Sequence, residues 1–230
     1  MISYSRFVNN MGVLSAVILL TILIFSAILH EIAHGLVAER LGDPTARLAG
    51  RLTLDPRKHI DPMMSIALPL ILLISGSPII IGAAKPVPVD PYNLRDGRKD
   101  MALVALSGPL TNVLIAIAAS LILKIIPPSS DLTLNTFLPL KASAEWGSLI
   151  LISIAHLNLL LAIFNLIPIP PLDGSKIFSL LLPEKLANAF LSLGSVGIFI
   201  IFFLLLSGGE FSLGRLISTL LNFSEKLLGL

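Results

Sequence analysis

Polar positions are sparse along this chain, and the intervals between them set the first expectations. Four stretches, 12–38, 101–126, 146–168 and 186–207, are almost wholly apolar, and each reaches the roughly 20 residues a helix needs to cross a bilayer. A fifth, 62–84, is interrupted by Pro69 and by Ser75-Gly76-Ser77-Pro78. The first part, about 14 residues up to the Ser-Gly-Ser-Pro break, would reach only about 21 Å, so the segment is expected to be re-entrant or interfacial. In the tail 208–230, Glu210, Arg215, Glu225 and Lys226 alternate with leucines, the pattern of an amphipathic helix lying in the interface. Alternation and β-branched residues around 46–54 and 79–89 predict two short strands. The expected fold class is an α-helical polytopic membrane protein with four full spans, one re-entrant or broken segment and a small membrane-associated β element. With no internal repeat or linker in view, 1–230 reads as one membrane-embedded domain.

Composition supports lipid as the solvent. Hydrophobic residues make up 55% of the 230, mean hydropathy is +0.92, and only 13% are charged, against about a quarter in soluble domains. The absence of cysteine excludes disulfides, thiolate metal ligands and a cysteine nucleophile. A net charge of +2, with basic residues spread through loops, gives no reason to expect a nucleic-acid partner. Arg6 is the only early charge, and the first apolar run continues into a polar cluster that cleavage would destroy, so that run is read as a retained span rather than a signal peptide. Arg40, Arg47, Arg51, Arg57 and Lys58 in one loop, and Lys85, Arg95, Arg98 and Lys99 in another, predict that both loops face the cytoplasm.

The exceptions to apolarity carry the chemistry. His30, Glu31 and His34 interrupt the first span, where ionisable groups are costly and usually functional. Histidines four residues apart share one helical face and can bind one zinc, with the intervening glutamate placed as general base. A polar helix end at the interface is the bland alternative. Catalytic zinc takes three protein ligands, and Asp173 is a candidate for the third. It follows the 146–168 span in Asn165-Leu-Ile-Pro-Ile-Pro-Pro-Leu-Asp173-Gly174, where prolines stop the helix and leave extended backbone. Irregular backbone at that depth must be buried in protein or line a wet cavity. Read alone, Asp173 has an ordinary interfacial loop aspartate as its alternative reading.

His-Glu-Ile-Ala-His-Gly at 30–35 together with the 165–174 stretch resembles the site-2 protease family of intramembrane zinc metallopeptidases. Ser-Gly-Pro-Leu-Thr-Asn at 107–112 and Gly-Ala-Ala-Lys-Pro-Val-Pro-Val at 82–89 fit it as well, so the resemblance runs from about residue 12 to 180 in the family's order. It implies one zinc ion per chain held by His30, His34 and Asp173, with Glu31 as catalytic base. Asn165 matches the family's asparagine, with a role toward substrate backbone or the architecture of the site. Gly108, Pro109 and Asn112 are further candidates beside the metal. The implied substrate is a membrane-spanning protein or peptide within the lipid bilayer. The chain has no room for a PDZ domain or a CBS pair, which leaves substrate selection open.

One metal needs its ligands at one depth. His30, His34 and Asp173 meet that condition if the first and third full spans run in the same direction, with 101–126 as the one crossing between them. The basic loops then place the site toward the cytoplasmic leaflet. A strand edge near the site could pair with an unwound substrate segment, or only shape the cavity. His59 reads as a loop histidine and His156 as an interhelical hydrogen-bonding group, each with a metal-centre role as the alternative. A zinc transporter and a catalytically silent binding protein are the rival functions.

Overall fold

The computed structural model describes residues 12–61, 85–125, 140–206 and 212–230. Its frame is three long helices: α1 (Gly12–Arg40), α3 (Gly97–Ile125) and α4 (Leu140–Asn165). Within them Ala16–Arg40, Gly97–Ile125 and Trp146–Asn165 are long and apolar enough to cross a membrane. α1 holds because no proline interrupts its run of Leu, Ile, Val and Ala. It ends where Gly42 takes φ 117°. There the Asp43 N–H bonds the Ala38 carbonyl and the Gly42 N–H bonds that of Glu39, the two bonds of a Schellman C-cap. A single turn, α2 (Thr45–Leu48), follows.

α3 packs against both α1 and α4. His30 pairs with Asn112, and His34, one turn further on, pairs with Val104, so α1 and α3 are antiparallel. Asn158 of α4 is level with Ser26 of α1, and Asp173 beyond α4 is level with His30 and His34, so α4 runs with α1. Buried Ala116 and Ala119 on α3 face Ala155 on α4, the small-residue contact that brings helix backbones close without help from water.

After α4 the proline-rich turn, with a cis Pro170–Pro171 bond, leads into α5 (Asp173–Phe178), α6 (Glu184–Leu191), α7 (Gly194–Leu206) and α8 (Leu213–Leu228). α8 is amphipathic, with Leu213, Ile217 and Leu221 buried at four-residue spacing against residues of α4 and α7.

Two expectations are corrected. The stretch 186–207 does not form an unbroken fourth span: Glu184–Leu191 and Val196–Leu206 meet at 70°. The break falls at Ser192-Leu193-Gly194-Ser195, and Gly/Ser pairs are a common cause of sharp helix kinks. The described residues of the expected β element form no strand either. Residues 45–48 form α2 instead, and 85–89 take no regular secondary structure. Pro86 and Pro88 have no N–H to offer a ladder, and the N–H groups of Lys85 and Val87 go to the His59 carbonyl and to Glu31. The expected re-entrant segment 62–84, and with it 79–84, lies outside the described residues.

Candidate metal centre

Helical spacing stacks His30 above His34 on the face of α1 turned toward α3, and their rings meet edge to face with centroids 4.6 Å apart. The two Nε2 atoms are 3.0 Å apart, and each is 3.1 Å from Asp173 Oδ2. All three residues are buried, between 6% and 7% exposed. Asp173 arrives from the far side as the first residue of α5. Gly174 allows this approach, because a Cβ there would lie 2.2 Å from the Leu166 carbonyl oxygen. Lys176 Nζ bonds Asp173 Oδ1 at 3.2 Å, leaving Oδ2 to the imidazoles.

The donor set fits a divalent cation. His34 Nδ1 lies 2.7 Å from the Val104 carbonyl, which can only accept, so Nδ1 carries a proton, and Nε2 is the nitrogen that offers a lone pair whenever the ring is neutral. That lone pair and the Asp173 carboxylate face each other with nothing to donate between them. A cation at their meeting point relieves the repulsion, and two imidazoles with one carboxylate is a zinc-type set with a fourth position left for solvent or substrate.

Glu31 is half-buried at the mouth of the site. Its Oε2 accepts the Val87 N–H at 2.7 Å, which orients the carboxylate. The cleft beside His30, His34 and Asp173 has a volume of about 320 Å³, and Glu31, Val87, Asn165 and Lys176 are among its walls. Asn165 donates to the Leu161 carbonyl at 3.0 Å. Gly108 is packed onto the imidazoles: a Cβ there would meet His34 Nε2 at 2.5 Å and His30 Nε2 at 2.6 Å. Pro109 is buried within α3, where its missing N–H frees the Ala105 carbonyl. Asn112 is fully buried, with Oδ1 2.5 Å from His30 Nδ1.

The other two histidines lie apart from this cluster. His59 is buried and donates from Nε2 to the Thr53 carbonyl at 2.9 Å. His156 pairs through Nδ1 with Glu225 of α8, tying α8 to α4. Sequence reasoning missed Ser26, Ser107, Asn158 and Lys176. Ser26 stands four and eight residues before the two histidines and so on their face, which is the one signal that could have found it. Ser107 bonds the Val104 carbonyl at 2.6 Å, beside His34.

Arg98 and Asp43 fasten the surroundings. Arg98 Nη2 donates to the carbonyls of Ser179 and Leu182, anchoring the chain just after α5. Asp43, fully buried, accepts from Thr45, Asn93 and the Asp90 N–H. Burial opposes its charge, but these hydrogen bonds prevail and hold its carboxyl below the usual range.

A histidine pair and a carboxylate converging beside a glutamate, on helices long and apolar enough for a membrane, define a membrane metallopeptidase. The chain belongs to peptidase family M50, whose model matches residues 17–207. It is similar to "Putative zinc metalloprotease YwhC" of Bacillus subtilis, 36% identical over 183 residues, covering 80% of this chain and 77% of that one. It is also similar to "Putative zinc metalloprotease Rip2" of Mycobacterium tuberculosis, 34% identical over 149 residues, which cover 65% of this chain and 51% of that protein. "Putative zinc metalloprotease MJ0611" of Methanocaldococcus jannaschii is 35% identical over 101 residues, 43% of this chain and 45% of its own. No solved structure matches at a significant level. The chain is thus a zinc metallopeptidase with helices fit for the membrane.

Proposed function

We propose that this protein hydrolyses peptide bonds within or beside the transmembrane segments of membrane-anchored substrates, with His30, His34 and Asp173 holding one zinc ion and Glu31 as general base. The carrying observation is the convergence of the three ligating atoms within 3.1 Å, next to Glu31 and among the three span-length helices. Zinc bound there would polarise a scissile carbonyl and make water a better nucleophile. Glu31 takes a proton from the attacking water and passes it to the departing amine. The Val87 N–H holds one Glu31 oxygen and leaves the other for that proton. Asn165 and Lys176 supply polar contacts along the cleft for the substrate backbone. The apolar helices around the site keep bulk water out, and the basic residues of 40–61 and 85–100 favour a site that opens toward the cytoplasmic leaflet.

The test is cleavage of single-span model substrates by the purified, detergent-solubilised protein, with zinc quantified in the same preparation and fragment masses locating the cut. The expected cut lies in or next to the apolar segment, is lost on chelation and returns with zinc. Cleavage confined to soluble, unanchored substrates would contradict the proposal, as would cleavage indifferent to chelation.

A further inference from the structure

We infer that Asn158 is a positioning residue for the metal centre, fixing through Asn112 which nitrogen of His30 carries the proton. The inference rests on His30 being a ligand.

The argument begins at an atom with one possible role. Asn158 lies 2.8 Å from the Ile154 carbonyl oxygen. A carbonyl only accepts, so the group facing it must be Nδ2, which also reaches Ser26 Oγ at 2.9 Å. The other end of the Asn158 amide, Oδ1, then faces Asn112 at 2.8 Å and needs a donor, which is Asn112 Nδ2. This turns Asn112 Oδ1 toward His30 Nδ1, 2.5 Å away, so His30 must donate from Nδ1. Its Nε2 is left with a lone pair directed at the cluster it forms with His34 and Asp173. Reversing either amide would set two acceptors against each other in a site where Asn112 and Asn158 are both 0% exposed, with no water to relieve the conflict. The hydroxyl of Ser26 can donate or accept, so the direction of the relay is set at Ile154.

The two histidines are therefore fixed by different routes. His34 relies on a main-chain carbonyl of α3, independent of any amide side chain. His30 relies on side chains from α3 and α4, so its tautomer depends on the packing of all three helices. Groups that orient a ligating imidazole through its other nitrogen commonly change metal affinity by 10- to 100-fold.

The experiment is ¹⁵N NMR of the imidazoles in full-length protein labelled at histidine, zinc-free and at a pH where the rings are neutral, with zinc affinity measured separately by chelator competition. His59 donates from Nε2 and serves as the reference for the opposite tautomer. Wild type should show His30 and His34 both protonated at Nδ1. In Asn158→Leu, His30 should gain the Nε2-protonated form while His34 stays unchanged, and zinc affinity should fall about 10- to 100-fold. Asn158→Asp, buried and so held as the neutral acid, donates from its hydroxyl to the Ile154 carbonyl and keeps an acceptor toward Asn112; it should restore the wild-type His30 signal and affinity near that of wild type. If Asn158→Leu fails to fold, Asn158→Ala carries the same test. A wild-type His30 protonated at Nε2, or a His30 signal unmoved by loss of Asn158, overturns the inference. So does an equal shift of His30 and His34, which would mean general loosening. Failure of the ligand assignment looks different: zinc affinity would then survive removal of His30 itself.

Discussion

Where α1, α3 and α4 meet, the buried residues include Ser26, Asn112, Asn158 and several alanines beside Ile28 and Leu159; where α8 lies over α4 and α7 they are Leu213, Ile217 and Leu221. The first region is joined by directed hydrogen bonds between helices. The second contains an apolar cavity of about 460 Å³ lined by Leu160, Phe164, Leu205 and Ile217, among others. Lipid tails are as apolar as leucine, so apolar contact alone gives helices little reason to prefer each other to lipid. Hydrogen bonds and close backbone approach supply that preference and, unlike leucine packing, also fix position and rotation. The precision a metal centre needs is therefore concentrated in the α1–α3–α4 seam, and the α8 side can be looser without cost to the site.

Substitutions on the two sides should break or sharpen this contrast. The largest effect is expected from Gly108→Leu, whose side chain would have to occupy the space of both imidazoles. Bound zinc, measured by elemental analysis, should drop from about one per chain to near zero; full zinc content would show that the close approach of α3 is dispensable. Arg98→Ala should be milder, releasing the carbonyls of Ser179 and Leu182 at about 1–3 kcal/mol, read as a lower Tm in detergent. An unchanged Tm would remove Arg98 as an anchor of α5.

Asp43→Asn adds a pH signature. The folded-state carboxyl of Asp43 is depressed, so its contribution is fully present above the unfolded pKa of about 3.9 and is lost as pH falls through the folded value. The variant should be less stable than wild type at pH 7 by about 1 kcal/mol, with the gap closing below about pH 4. A gap independent of pH would argue against the ionised hydrogen-bonded carboxylate. Leu205→Ala, on the half-open wall of the α8 groove, should change stability by no more than about 0.5 kcal/mol and leave zinc content alone. A loss of zinc there would erase the distinction between the two regions.

The sequence announced the helices and the metal cluster unevenly. His30 and His34 were legible because the helical period converts a four-residue spacing into a shared face. Asp173 was legible as a carboxylate following the proline-broken end of the 146–168 run, but the irregular backbone expected there gives way at Asp173 itself to the first turn of α5. Hydropathy could not reveal the 70° bend between α6 and α7, because Ser192, Gly194 and Ser195 lower apolarity too little to interrupt a long run. Alternation at 79–89 suggested a strand, but in its described part prolines at 86 and 88 withhold the donors a strand partner needs. Asn158 was missed, since its meaning lies in Asn112 and Ser26, which only tertiary packing brings to it. His59 and His156 gave no local sign of their partners, a backbone carbonyl in one case and a glutamate 69 residues away in the other.

The most direct test of the proposed mechanism is Glu31→Gln, which keeps the shape of the side chain, and one oxygen for the Val87 N–H, but removes the base. Zinc content and cleavage of a single-span substrate would be measured on the same purified sample, beside wild type. The account predicts wild-type zinc with cleavage reduced by about 10²- to 10⁴-fold or more. A variant that cleaves as fast as wild type would place the activity at another site and contradict the mechanism.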